Sequence, residues 1–200
     1  MIVEIINIAW AALALVWFGG ALGNKRTARN EPFAGRMRHV VLTLVALLLL
    51  FGPLPAWREV PLLRGVMLFL FGPASASAHV PPLRGVIGLV MTLAGVAFTI
   101  WARVRLGRNW SGTVEVKQKH ELVRRGPYRI VRHPIYSGML LAMAGTAIAF
   151  GEWRGYLGFA VALIGFKTKS LTEERFMSEQ FGDAYARYKA EVKALIPGVL

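Results

Sequence analysis

At 200 residues the chain is the size of one domain. Its 55% hydrophobic content, gathered in blocks, and its positive mean hydropathy exclude an ordinary soluble fold. Cysteine is absent, which rules out disulfides, a thiol nucleophile and thiolate-ligated zinc, and the 4 histidines are scattered without metal-ligand spacing, so no metal is expected. A net charge of +13 fits the cytoplasmic loops of a membrane protein better than a nucleic-acid surface, so no nucleic-acid partner is expected either.

Ile2 to Gly23 reads as a first spanning helix, interrupted only by Glu4 and Asn7 near its start. Its length matches a hydrocarbon core of about 30 Å. A cleaved signal peptide is not expected, because the stretch is too long for an h-region and lacks a basic start. The basic run Lys25–His39 leads to a second span, Val40 to about Pro55, ended by Pro53 and Pro55. Residues 60–73 carry Arg64 and fall short of the roughly 17 residues that a crossing needs, so they read as interfacial or re-entrant. Charge parity agrees. The basic stretches 25–39 and 103–134 both belong in the cytoplasm, and Val40–Pro55 and Leu83–Trp101 already supply the even number of crossings between them. Residues 74–82 then form an outer loop, with His79 solvated.

The third span continues as helix through Arg103 and Arg105. Ile135–Phe150 and Tyr156–Phe166, joined by the turn Gly151–Gly155, read as an antiparallel helical hairpin. Lys169–Pro197 reads as an amphipathic helix with Met177, Phe181, Tyr185, Tyr188, Val192 and Leu195 on one face. Ser170 and Glu173 fit a capping box at its start, and Gly182 weakens its middle. The expected fold is all-α: a polytopic membrane helical bundle of about five transmembrane helices plus a cytoplasmic C-terminal amphipathic helix. It forms one integral-membrane domain over 1–200, with the N-terminal spans and interfacial segment in 1–82. The expected location is a bacterial inner (cell) membrane, N-terminus outside and C-terminus cytoplasmic. The sequence carries no signal for oligomeric state.

The stretch 121–138, ELVRRGPYRIVRHPIYSG, joins the basic run to the apolar hairpin. A residue before proline is pushed out of the helical region, so His133 belongs in a turn, and Pro134 can open the next helix. Arg129, Arg132 and His133 then stand at a helix N-terminus, where free N–H groups and the macrodipole favour an anion. The plainer role for these arginines is anchoring to lipid headgroups. Glu174 shares a helical stripe with Met177 and Phe181, so it faces the apolar side, where a carboxylate needs a cation. Lys167, Lys169, Arg129, Arg132 or the ammonium of a ligand could supply it. Such a polar pocket is compatible with S-adenosylmethionine, although these residues alone do not select that molecule. No glycine-rich dinucleotide fingerprint is present.

GPYRIVRHPIYSG at 126–138, preceded by LGRNWS at 106–111 and followed by TEERFMSEQFGDAYARYKAEVKALIP at 172–197, resembles the isoprenylcysteine carboxyl methyltransferase family. These are integral-membrane methyltransferases, more distantly related to the phospholipid N-methyltransferases. The resemblance covers roughly residues 100–200 and implies a helical membrane bundle whose C-terminal half, within 83–200, encloses S-adenosyl-L-methionine. By position, it implies cofactor contacts from Arg132, His133, Pro134, Tyr136, Gly138, Glu173 and Glu174. Leu106, Gly107 and Trp110 would lie near the substrate entrance. Arg129, Arg132 and Lys169 are the catalytic candidates, holding the acceptor carboxylate. Eukaryotic members carry an arginine shortly before the paired glutamates, where this chain has Lys167 or Lys169; lysine keeps the charge but loses the bidentate fork.

The implied reaction is methylation of the carboxylate of a lipophilic acceptor, such as a prenylated cysteine, that enters from the bilayer. The carboxylate is already ionised at neutral pH, so catalysis rests on alignment rather than on a base. Three alternatives stand beside it. One is N-methylation of a phospholipid or other lipid amine, which would want a base; the others are a nicotinamide-dependent membrane reductase and a non-catalytic basic membrane scaffold.

Overall fold

The computed structural model describes residues 1–21, 27–52, 81–107, 110, 115–117 and 122–198. Among them the chain forms α1 (Ile2–Ala21), β1 (Thr27–Asn30), α2 (Phe33–Phe51), α3 (Pro82–Leu106), β2 (Glu115–Lys117), a 3₁₀ turn (Gly126–Arg129), α4 (Pro134–Phe150), α5 (Trp153–Phe181) and α6 (Asp183–Glu191). β1 and β2 pair antiparallel, with Asn30 opposite Glu115, a small ribbon that the all-α expectation lacks. Helices α1, α2 and α3 are long and apolar enough to cross a membrane, and α4 is a shorter apolar helix. The segment 60–73 and the loop 74–80 with His79 lie outside the described residues.

α3 and α4 form the spine. Gly88 and Gly95 on α3 face Gly145 and Gly138 on α4, each pair seven positions apart on its own helix. A Cβ on Gly95 would fall 2.4 Å from the Ala142 backbone nitrogen, so the two backbones touch because side chains are missing there. The polar atoms caught in this contact are all satisfied. Thr92 Oγ1 lies 3.2 Å from Thr146 Oγ1, Thr146 donates to the Ala142 carbonyl, and Trp10 Nε1 on α1 donates to Thr146.

The remaining helices flank this spine. α1 packs on α3, Ile2 against Gly85. α2 packs antiparallel on α5, with Gly158 beneath Ala46 and Leu50, and Gly165 against Leu42. Ala46, Leu50, Met143, Ala147, Ala162 and Phe166 make the core of that side.

Two expected boundaries move. α2 starts at Phe33 rather than Val40, so Arg36, Arg38 and His39 lie inside the helix. Long cationic side chains can keep their heads in water from such positions, so they do not end a span. More consequentially, no helix begins at Ser170. α5 runs unbroken from the apolar hairpin to Phe181, and Ser170 Oγ donates to the Lys167 carbonyl inside it, which removes the capping-box role proposed for Ser170 and Glu173. Backbone hydrogen bonding is indifferent to the drop in hydropathy at Lys167. The break comes at Gly182, whose φ of +48° turns the chain into α6.

Candidate active site

His133 sits at the N-cap of α4 with φ −120° and ψ 62°, and Pro134 occupies the first turn, as the X-Pro rule requires. The polar part of α5 faces this helix start. Neighbouring positions on a helix point about 100° apart, so Glu173 and Glu174 meet different groups. Arg132 donates to Glu174 Oε1 from Nε at 3.1 Å and from Nη2 at 2.6 Å. Lys189 Nζ on α6 lies 2.9 Å from the other oxygen, Oε2. The Tyr136 hydroxyl donates to Glu173 Oε1. The His133 ring bridges the two acids, with Nδ1 3.3 Å from Glu173 Oε2 and Nε2 3.3 Å from Glu174 Oε1. Of the cations weighed for Glu174, Arg132 is the one hydrogen-bonded to it here, joined by Lys189, which the sequence did not suggest, while Glu173 belongs to the cluster rather than to a cap.

Charge states follow from these contacts. Burial alone would raise both carboxyls, but hydrogen bonds from His133 and the nearby cations outweigh it and hold Glu173 and Glu174 below the ordinary carboxylate range. Burial alone would lower His133, and its hydrogen bonds to Glu173 and Glu174 leave it raised instead.

The C-terminal segment straps the cluster down. The Arg132 and His133 backbone N–H groups donate to the Lys193 and Ala194 carbonyls at 2.8 and 3.0 Å, and Ser137 Oγ donates to the Leu195 carbonyl. Arg132 Nη1 also reaches the Val192 carbonyl. Tyr188 donates to the Tyr128 carbonyl at 2.5 Å, which fixes α6 to the 3₁₀ turn.

Tyr136 connects this cluster to a cavity of about 360 Å³. Its ring is stacked between His133 and Phe166, with Lys169 Nζ 5.5 Å from its centroid. The cavity runs between Trp10, Leu13 and Trp17 of α1 and Leu44 and Leu47 of α2, and it is apolar along that length. Its polar end holds Glu31, Arg36, His39 and Lys169. Glu31 and His39 are each 6% exposed, with His39 Nε2 3.2 Å from Glu31 Oε1. Neither stood out in the sequence, where both lie in a run that reads as a topology signal. Only the burial of an acid and a histidine among cations marks them.

The other expected site residues are dispersed. Arg129 is exposed on the 3₁₀ turn and joins none of the hydrogen bonds just described. Gly138 is a packing residue: a Cβ there would lie 2.3 Å from Thr99 Oγ1. Leu106 ends α3 and Gly107 caps it with φ +53°. Trp110 is buried under the Arg103 guanidinium at 4.3 Å and edge-on to Trp17 at 4.8 Å, and Trp17 lines the cavity.

The cluster suits the amino-acid end of S-adenosylmethionine. Glu174 already accepts one ammonium, that of Lys189, and Arg132 with His133 supplies positive charge for a carboxylate.

Residues 83–184 match the family described as phospholipid methyltransferase. A probable protein-S-isoprenylcysteine O-methyltransferase of Oryza sativa subsp. indica is 32% identical over 114 residues, 56% of this chain and 60% of the relative. The protein-S-isoprenylcysteine O-methyltransferase of Schizosaccharomyces pombe is 35% identical over 99 residues, 48% of this chain and 42% of its own. Methanethiol S-methyltransferase 1 of Bradyrhizobium diazoefficiens is 39% identical over 71 residues, 35% of this chain and 24% of the relative. The chain thus spans no more than about three fifths of the length of these relatives. The match at 83–184 takes in α3, α4, α5 and the Arg132–Glu174 cluster they assemble, and the chain belongs to the phospholipid methyltransferase family, with isoprenylcysteine carboxyl methyltransferases among its relatives.

Proposed function

We propose that the protein is an S-adenosylmethionine-dependent membrane methyltransferase that esterifies the carboxylate of a lipophilic acceptor, a prenylated cysteine or an analogue. One observation carries this reading: Tyr136 is shared between the acid–cation cluster and a cavity that is apolar along α1 and α2 and cationic at its polar end. The names of the isoprenylcysteine relatives support the carboxylate as acceptor.

Glu174, Glu173, Arg132 and His133 would hold the methionyl end of the cofactor, which supplies an electrophilic methyl on a sulfonium. Lys169 and Arg36, at the polar end of the cavity, would hold the acceptor carboxylate while the lipid tail lies between α1 and α2. An ionised carboxylate needs no base. These side chains contribute by orienting it, by neutralising its charge and by excluding water behind Tyr136 and Phe166. For topology we read α4 and the apolar half of α5 as crossing together with α1–α3. That makes five spans, with the N-terminus outside and the basic helix ends in the cytoplasm.

The test uses membranes carrying the protein, methyl-labelled cofactor and either a prenylcysteine analogue or phosphatidylethanolamine. A methyl ester releases volatile methanol in mild base, and that is the expected product. Base-stable label in the phospholipid, with none in the prenylcysteine, would replace the ester reading with N-methylation.

A further inference from the structure

The apolar cavity has a closed end. Its lining runs from Trp17 back to Trp10 on α1 and from His39 on to Leu47 on α2, which at the helical rise makes it roughly 10–12 Å deep. Phe18, Val40 and Leu44 line it and are also exposed on the outside of the bundle, so it opens sideways between α1 and α2 toward its polar end. The far end is shut. Trp10 meets Phe51 edge-on at 5.5 Å, and Phe51 meets Phe150 at 6.3 Å, an aromatic row that ties α1 to the ends of α2 and α4. One turn beyond Trp10 on α1, Ile6 is completely buried, and Leu50 beyond Leu47 is buried too. Neither lines the cavity.

The residue at that end is fixed in place by a polar contact. An indole N–H enclosed in a membrane bundle needs an acceptor, and Trp10 Nε1 finds Thr146 Oγ1 at 3.0 Å. Thr146 is itself fully buried in the seam between α3 and α4, where it donates to the Ala142 carbonyl. Swinging the indole aside to admit a longer chain would break this bond and strand a donor in apolar surroundings. A leucine at the same position could change rotamer without that cost. The end of the cavity is therefore a hard wall.

We infer that Trp10 is the stop of the cavity and determines specificity: its indole, held by Thr146, sets the longest apolar tail that can lie between α1 and α2. The inference rests on the reading of the cavity as the acceptor site. Without the indole the cavity runs on toward Ile6, one helical turn or about 5 Å deeper.

The test is calorimetric binding of the butyl, octyl and dodecyl thioethers of N-acetylcysteine to the full chain in detergent. An extended octyl chain fits the depth given above, whereas a dodecyl chain exceeds it. Each ligand partitions into the micelles equally for every protein, so the ratio of variant to wild-type affinity reads the cavity alone. Trp10→Ala should bind the dodecyl ligand about tenfold tighter than wild type, the worth of about two newly buried methylene groups, with butyl affinity unchanged. Leu47→Trp, which adds bulk at the same depth, should weaken octyl severalfold and leave butyl unchanged. Opposite shifts that depend on tail length are not produced by a general loss of packing. Where Trp10→Ala fails to fold, Trp10→Leu keeps an apolar side chain there and still removes the wall. Affinity ratios that are the same for all three tails would overturn the inference and leave the acceptor reading standing. Absence of binding by every thioether would remove the acceptor reading itself, and the stop with it. Base-stable methyl product with a tail-length shift in these variants would remove the ester and keep the stop.

Discussion

Lys189 Nζ lies 2.9 Å from Glu174 Oε2, so a half-exposed lysine on α6 closes the charge of a carboxylate buried beneath it. A ligand ammonium arriving at Glu174 competes with that lysine. Lys189→Met should therefore bind S-adenosylhomocysteine severalfold tighter, with thermal stability changed by less than about 1 kcal/mol, as is usual for a partly exposed ion pair. Titration calorimetry on the purified variant reads both partners of this contact. Weaker binding in Lys189→Met would show that the lysine contacts the ligand instead.

Glu174→Gln and His133→Ala are expected to move the other way. Each removes a charge-assisted hydrogen bond, worth roughly 1.5–3 kcal/mol, so affinity for S-adenosylhomocysteine should fall at least about tenfold. Arg129→Ala, altering an exposed side chain outside the cluster, should leave that affinity within about twofold. If both cluster variants keep full affinity, the cofactor does not bind there.

The pH dependence of stability has two edges. The Glu174 carboxyl titrates below its ordinary value of 4.5, so its stabilisation is complete above that pH and is lost as pH falls toward the folded-state value. His133 titrates above its ordinary 6.5, so its contribution is complete below that pH and fades as pH rises through the folded-state value. Thermal unfolding in detergent should thus be highest between about pH 4.5 and pH 6.5. The acid edge should shrink in Glu174→Gln, with the part due to Glu173 left in place, whereas an unchanged acid edge would mean that the Glu174 ion pairs contribute nothing net.

Gly138 gives a test of packing against ligand contact. Gly138→Ala forces a methyl group into Thr99 and the Gly95 carbonyl, so it should destabilise by at least the roughly 1–3 kcal/mol typical of overpacking. The folded fraction should retain wild-type cofactor affinity. A variant of normal stability that no longer binds cofactor would return Gly138 to the binding residues.

Because the chain lacks cysteine, topology can be read with single thiols. Trp153→Cys, at the exposed turn between α4 and α5, should react with an impermeant reagent in intact cells. Lys193→Cys, in the strap over the cluster, should react only after permeabilisation. The reverse pattern inverts the bundle.

Much of the cluster was legible because its signals are local. An X-Pro step fixes the backbone at His133 whatever surrounds it, and a charged residue on an apolar stripe announced that Glu174 needs a cation. Glu173 misled for an equally physical reason. A serine three residues before an acid has the same spacing inside a helix as at its start, and only the uninterrupted hydrogen bonds of α5 tell the two apart. Glu31 and His39 were hidden because their pairing depends on where α2 begins and on what α5 brings beside it. Lys169, which shares their end of the cavity, is remote in sequence. The glycines at 88, 95, 138 and 145 were visible as letters, but their register across two helices is a property of the packed pair.

The glycine contact between α3 and α4 also divides the labour of the bundle. It locks α4, which with α5 carries the acid–cation cluster, to α3 within the family match at 83–184, whereas α1 and α2, which bound much of the cavity, lie outside that match. Substitutions along those two helices can lengthen, widen or repolarise the cavity without replacing any residue of the acid–cation cluster. Variation confined to α1 and α2 would therefore reshape one wall of the cavity and leave the packed pair opposite it intact.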